Sequence, residues 1–238
     1  MKKILHPAAT RGTADYGWLQ ARYSFSFANF FDPNRIQFGK LRVLNDDIVA
    51  PSMGFGKHPH QNMEIVTIPQ EGALKHRDSM GNEGIIESGD IQIMSAGSGV
   101  EHSEINARPN EAVKLFQIWV LPEEEGVTPR YDQKKIAPLL KPNQISTVVK
   151  PRTEANGDEL WVHQQAWFNI GEFSETIQTT YPLNNKAHGV YVFVIDGTIV
   201  VDNETLTKRD AIGIWDTDSV TLTAQKDSRV LLIEVPMN

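Results

Sequence analysis

The sequence predicts an all-β protein of sandwich or barrel type, in two homologous domains. Three observations carry that prediction. Short runs rich in β-branched and aromatic residues recur at close spacing between turn residues. No stretch shows a convincing amphipathic helical period. The second half of the chain echoes the first. In the first half the runs are residues 63–68, 91–94 and 115–120. In the second they are residues 190–195, 198–201, 219–223 and 230–233. Asp196-Gly197 reads as a hairpin turn between two of these runs, and Asp202-Asn203 marks another turn. Glu123-Glu124-Glu125-Gly126 reads as a solvated turn, and residues 137–144 are expected to hold a single helical turn between prolines.

The repeat is weak but regular. A β-run reaches Gly72, a strand follows at residues 73–76, and Gly89-Asp90 opens the next run. In the second half a β-run reaches Gly197, a strand follows at residues 198–201, and Arg209-Asp210 opens the next. The offset is roughly 120–125 residues, the size of a domain rather than of a solenoid repeat. Pro129, Pro138, Pro142 and Pro151 interrupt the polar stretch where the halves join. The expected domains are residues 1–135, carrying the chemistry, and residues 136–238.

Composition narrows the function. A chain of 238 residues with net charge −7 lacks the basic field that nucleic acid or an anionic membrane requires, so no direct nucleic-acid contact is expected. No cysteine is present, which excludes disulfides, thiolate zinc, iron–sulfur clusters and a cysteine nucleophile. No run approaches 18 apolar residues, so no membrane-spanning helix is expected. The apolar start Met1 to Leu5 stops at His6-Pro7, which does not read as a signal peptide, and the expected location is cytoplasmic.

The candidate chemistry lies in two short strands. His58-Pro59-His60 places two imidazoles on one face, because residues i and i+2 of a strand project together. His102-Ser103-Glu104 has the same geometry, after the flexible turn Ala96-Gly97-Ser98-Gly99. Side by side, the two strands would aim three imidazoles and one carboxylate at a common point. Such nitrogen and oxygen donors suit iron, copper, zinc, manganese, nickel or cobalt. Period 2 also puts Glu64 on the face of His60, so Glu64 competes with Glu104 for the fourth position. His76 reads as a hydrogen-bonding residue of a strand. His6, His163 and His188 have no partner at ligand spacing and read as structural or surface residues. Asp46-Asp47 reads as a turn rather than as support behind the ligands. Phe25, Phe27, Phe30 and Phe31 read as core or domain seam rather than a substrate platform, and Trp119 and Met94 as barrel lining.

These residues bring a resemblance. His58-x-His60-x3-Glu64-x7-Gly72 resembles the first cupin motif, and residues 89–104 followed by Asn106 resemble the second. The stretch Gln92-x-Met94-x-Ala96-Gly97-x-Gly99-x2-His102-Ser103-Glu104 resembles the pirin family of bicupins, of the bacterial quercetin dioxygenase-like kind. Residues 24–33, Gln117-x-Trp119, Leu121-Pro122 and Pro129-Arg130-Tyr131 extend the likeness. Ser95 stands where the general cupin motif has proline, and two extra residues precede His102. The resemblance implies an all-β fold of two tandem cupin (jelly-roll type) β-barrels packed together. It also implies that His58, His60, His102 and Glu104 ligate one divalent metal per chain, iron first among the candidates. The position matching Gly72 in the second half is Gly197, and counting back from it lands on Leu183 and Asn185, so the second barrel is expected to hold no metal.

The resemblance also implies a reaction: dioxygenase cleavage of a flavonol such as quercetin, with substrate enolate and dioxygen at the three-His, one-Glu centre. Glu104 would take the substrate hydroxyl proton. The partners would then be a small aromatic substrate and dioxygen. The alternative is a non-enzymatic, metal-dependent regulator that binds a protein partner.

Overall fold

The alternating runs fold into strands throughout residues 1–238, all of which the computed structural model describes. The first half supplies β1 (Lys2–His6), β2 (Gly12–Asp15), β3 (Leu19–Tyr23), β4 (Leu41–Val49), β5 (Gly54–His60), β6 (Glu64–Glu71), β7 (Ala73–Asp78), β8 (Glu83–Glu87), β9 (Asp90–Ser95), β10 (Val100–Asn106), β11 (Val113–Val120) and β12 (Arg130–Lys135). The second half supplies β13 (Ile145–Pro151), β14 (Leu160–Val162), β15 (Trp167–Phe173), β16 (Ile177–Pro182), β17 (His188–Asp196), β18 (Thr198–Val201), β19 (Glu204–Thr207), β20 (Ala211–Trp215), β21 (Ser219–Ala224) and β22 (Ser228–Pro236). Apart from these there are two single 3-10 turns, Ala8–Thr10 and Arg152–Glu154. In residues 137–144 the expected helical turn amounts to Leu139 and Leu140 N–H groups on the Ile136 carbonyl, and it propagates no further.

Each half closes a seven-stranded sheet against a four-stranded one. The first pair runs β12-β9-β6-β11-β4-β3-β2 and β5-β10-β7-β8; the second runs β1-β20-β17-β22-β15-β13-β14 and β16-β21-β18-β19. Strand for strand the repeat holds: β6, β9 and β11 correspond to β17, β20 and β22. One strand crosses over. The first strand of the chain, β1, pairs along its length with β20, from Lys2 opposite Trp215 to His6 opposite Ala211. The first barrel's sheets therefore exclude residues 2–6 of the expected 1–135 unit.

The two large sheets stack back to back. Their strands are covered on both faces and read as continuous apolar runs rather than alternations. In β6, Val66 and Ile68 face the partner sheet, as do Phe116, Ile118 and Val120 in β11. With Phe193, Leu231, Ile233 and Val235 from the other half they join one core cluster of 26 buried residues. The opposite face of each sheet looks into its own barrel. In the second barrel that interior is a separate apolar cluster, including Val190, Val192, Ile212, Leu222 and Leu232.

Glycine corners pass the chain between sheets. Gly72 (φ +75°) and Gly197 (φ +77°) occupy equivalent positions, after β6 and β17. The expected hairpin at Asp196-Gly197 is such a corner, because β17 and β18 belong to different sheets. Asp202 and Asn203, both at positive φ, do form the two-residue hairpin between β18 and β19.

Candidate metal centre

Strand β5 is the edge of its four-stranded sheet and pairs only with β10, which explains why Pro59, lacking an N–H, is tolerated there. His58 lies opposite His102, and Pro59 opposite Glu101. Past His102 the register with β5 slips, while on its other side β10 stays regular against β7, with Glu104 opposite His76. His102 and Glu104 thus share the inward face of β10, at 1% and 2% exposure.

Three imidazoles converge. Their ring centroids are 4.4 Å apart for His58–His102 and 4.9 Å apart for His58–His60 and for His60–His102. Each ring offers a nitrogen within 4.8 Å of the others. His58 Nδ1 donates to the Gly56 carbonyl at 2.7 Å, which leaves Nε2 with its lone pair free. Both ring nitrogens of His102 are buried with no hydrogen-bond partner. Burial, with His58 close by, pushes the His60 imidazole down to about 4. Burial, then the three neighbouring histidines, pushes His102 to about 2. Neutral imidazoles with orphaned, converging lone pairs fit a transition-metal ion, whose binding needs deprotonated ligands.

Glu104 joins through His102. Its carboxylate forms a second group with His76 and His102, again within 4.8 Å. Thr67 Oγ1 donates to Oε1 at 3.2 Å and Gln117 Nε2 to Oε2 at 2.7 Å. Burial raises the Glu104 carboxyl above its ordinary range, while His76, Thr67, His58 and Gln117 pull it back. His76 Nε2 is held by Asp78 Oδ2 at 3.1 Å, and its ring stacks on Tyr131 at 4.5 Å between centroids. It lies behind the site and hydrogen-bonds there as expected.

Glu64 is elsewhere. The chain turns at residues 61–63, so Glu64 opens β6 instead of continuing β5, and period 2 does not carry across that turn. Its Oε2 accepts from Ser95 Oγ at 2.8 Å and from the His163 N–H at 3.1 Å, tying the two halves together. His163, His6 and His188 are buried and structural: His6 Nδ1 meets Tyr191 Oη at 2.9 Å and His188 Nδ1 meets Glu234 Oε1 at 2.9 Å.

The histidines open into a cavity of about 280 Å³ inside the first barrel. Its apolar lining includes Leu19, Ala21, Phe27, Phe55, Ile65 and Trp119; its polar lining includes Tyr23, Asn45, Asp47 and Gln117 as well as Glu104. Two expectations are corrected here. Asp46-Asp47 is not a turn but part of β4, where alternation sends Asp47 into the cavity and Asp46 to the other barrel. Phe27 is not only seam: it walls the cavity and meets Trp119 edge-on at 5.4 Å. Phe25 is core, as expected, and Phe31 is exposed. A polar row also crosses the floor. Gln92, Thr67, Gln117, Asn45 and Tyr23 are successive cross-strand partners on five strands. The signal available for Asn45, Asp47 and Gln117 is that they are polar residues set inside the apolar runs at 41–49 and 115–120.

Comparison with known proteins agrees with this geometry. The Pirin family model matches residues 5–120, and a model described as the quercetinase C-terminal cupin domain matches residues 149–235. The chain is 39% identical over 232 residues to quercetin 2,3-dioxygenase of Escherichia coli strain K12, covering 98% of both chains. It is 38% identical over 223 residues to a pirin-like protein of Caulobacter vibrioides, covering 94% of this chain and 95% of that one. The crystal structure of YhhW from Escherichia coli superposes with a TM-score of 0.93 at 38% identity, covering 99% of this chain and 98% of that one. A structure of YhhW in complex with nickel(II) gives a TM-score of 0.92 at 37% identity, covering 99% of both. Two cupin barrels, one of them holding a His/Glu cluster, and likeness along nearly the whole length place this chain in the pirin family.

Proposed function

We propose that the protein is a metal-dependent dioxygenase that cleaves a flavonol such as quercetin. The observation that carries this reading is the convergence of the His58, His60 and His102 imidazoles, with the Glu104 carboxylate grouped beside His102, on the wall of an aromatic-lined cavity. The names of the relatives support the substrate class.

In this reading His58, His60, His102 and Glu104 hold one divalent ion. The ion supplies Lewis acidity and, in a redox-active metal, access to dioxygen chemistry, which the fixed oxidation state of zinc does not offer. The chain's own residues do the rest. Phe27, Phe55 and Trp119 clasp the ring system and exclude water, which strengthens every electrostatic contact inside. Glu104 accepts the proton of the reacting hydroxyl at Oε1, the oxygen held only by the 3.2 Å bond from Thr67. Gln117 keeps hold of Oε2, so the carboxyl does not rotate as it takes the proton. Holding substrate beside the site also replaces a chance encounter by a positioned one.

The test is turnover. The full chain is loaded separately with iron, copper, manganese, nickel, cobalt and zinc and mixed with quercetin in air. Loss of flavonol absorbance with release of carbon monoxide is expected for at least one redox-active metal and not for His102→Ala. No loss with any of them would overturn the reaction.

A further inference from the structure

The cavity has a second polar end, opposite the imidazoles in the barrel section. The imidazoles stand on the four-stranded sheet; Asn45 and Asp47 stand on β4 of the seven-stranded sheet that faces it. Both side chains line the cavity and both residues are 3% exposed. The Oδ1 atom of each is buried without a hydrogen-bond partner. Their neighbours leave them that way. Gln117, paired with Asn45 across the strands, turns its amide nitrogen to Glu104 and makes no bond to Asn45. The nearby arginines, Arg11 and Arg209, are held by Asp46 at 3.2 Å and 2.9 Å on the opposite face of β4.

Orphaned buried acceptors destabilise a fold and are retained where a ligand satisfies them. An aliphatic pair of the same shape would pack this wall better. We propose that Asn45 and Asp47 are the specificity-determining pair of the cavity, taking hydroxyl groups of an aromatic ligand whose other end lies at the imidazole cluster. The inference rests on the reading of this cavity as the ligand site. A hydroxyl is the group that fits, because it donates to the Asn45 amide oxygen and both donates to and accepts from a carboxyl group. The aromatic part follows from the walls, Phe27, Phe55 and Trp119.

The experiment compares two ligands that share the flavonol 3-hydroxyl. Quercetin carries further ring hydroxyls and 3-hydroxyflavone carries none. Affinities are measured by calorimetry on the full metal-loaded chain under anaerobic conditions. Wild type is expected to prefer quercetin by about tenfold or more, since a site built for hydroxyls rejects the analogue lacking them. Asp47→Leu and Asn45→Leu should bring the ratio towards one, with Asp47→Asn, which keeps an acceptor, in between. The leucine variants should melt no lower than wild type, which a merely structural residue would not allow. A ratio unchanged in both leucine variants would overturn the assignment while leaving flavonol binding intact. If wild type binds neither flavonol, the substrate reading fails by itself, and resorcinol against phenol decides the pair: a preference for resorcinol lost in the variants supports it, an unchanged ratio overturns it.

Discussion

Gln117 Nε2 donates to Glu104 Oε2 at 2.7 Å, across the interior of the first barrel from β11 to β10. With the Thr67 hydroxyl on Oε1, this bond fixes the plane of a carboxylate that has no exposed surface to relax into. Groups that orient metal ligands typically contribute 10–100-fold in affinity. Gln117→Leu should therefore weaken metal binding about 10–100-fold while the chain stays folded. Competition with a chelator of known affinity measures this, and an unchanged dissociation constant would contradict the role.

His102→Ala should empty the site of metal without unfolding the barrel. The lost ring leaves a cavity, but it also removes two buried nitrogens that no protein group hydrogen-bonds. These effects oppose one another. The metal-free variant should melt within roughly 5 °C of metal-free wild type, on the scale of a 1–2 kcal/mol change. Elemental analysis and thermal melts check both parts.

Glu64 predicts a pH effect at the seam between the barrels. Burial pushes its carboxyl up to about 7 from 4.5, against the opposing bonds from Ser95 and His163. Between those values the folded chain holds a proton that the unfolded chain has released. Stability contributed by this site therefore falls as pH rises from about 4.5 to about 7, and is level on either side. The whole span amounts to about 3 kcal/mol at most. Glu64→Gln should remove this slope. Denaturant melts of both proteins at pH 5 and pH 7.5 give the difference, and parallel pH profiles would refute it.

Gly97 lies at φ +45° in the turn that delivers β10 to the site. A Cβ there would collide with the Val127 carbonyl oxygen, which is backbone and cannot step aside. Gly97→Ala should cost about 2 kcal/mol or more and lower metal affinity along with it, because the same turn sets where His102 begins. A melt matching wild type would show that the turn yields freely.

How much of this was legible beforehand depends on the range of each signal. The pairs His58/His60 and His102/Glu104 are legible because period 2 is local and each pair sits within a single strand, whereas the choice of Glu104 over Glu64 comes from the family resemblance. Glu64 was ambiguous because the same period was extended over residues 61–63, where the chain leaves one sheet for the other. Asp46-Asp47 reads as a turn because paired aspartates favour turns in isolation; β4 overrides that preference by giving each carboxylate a different face. Phe27 reads as core or domain seam because aromatic residues mark buried surface without saying which side of a sheet is buried. The crossing of β1 has no local signature at all, since its partner lies more than 200 residues away.

That crossing makes the carboxy-terminal barrel depend on a remote segment. Lys2 to His6 lie more than 200 residues along the chain from their pairing partner, Ala211 to Trp215. While β1 is undocked, β20 presents a bare edge, the kind of surface that recruits neighbouring chains. Loss of the pairing made by Lys2 to His6 would thus be felt first in the carboxy-terminal barrel, as clumping, and only secondarily at the histidines.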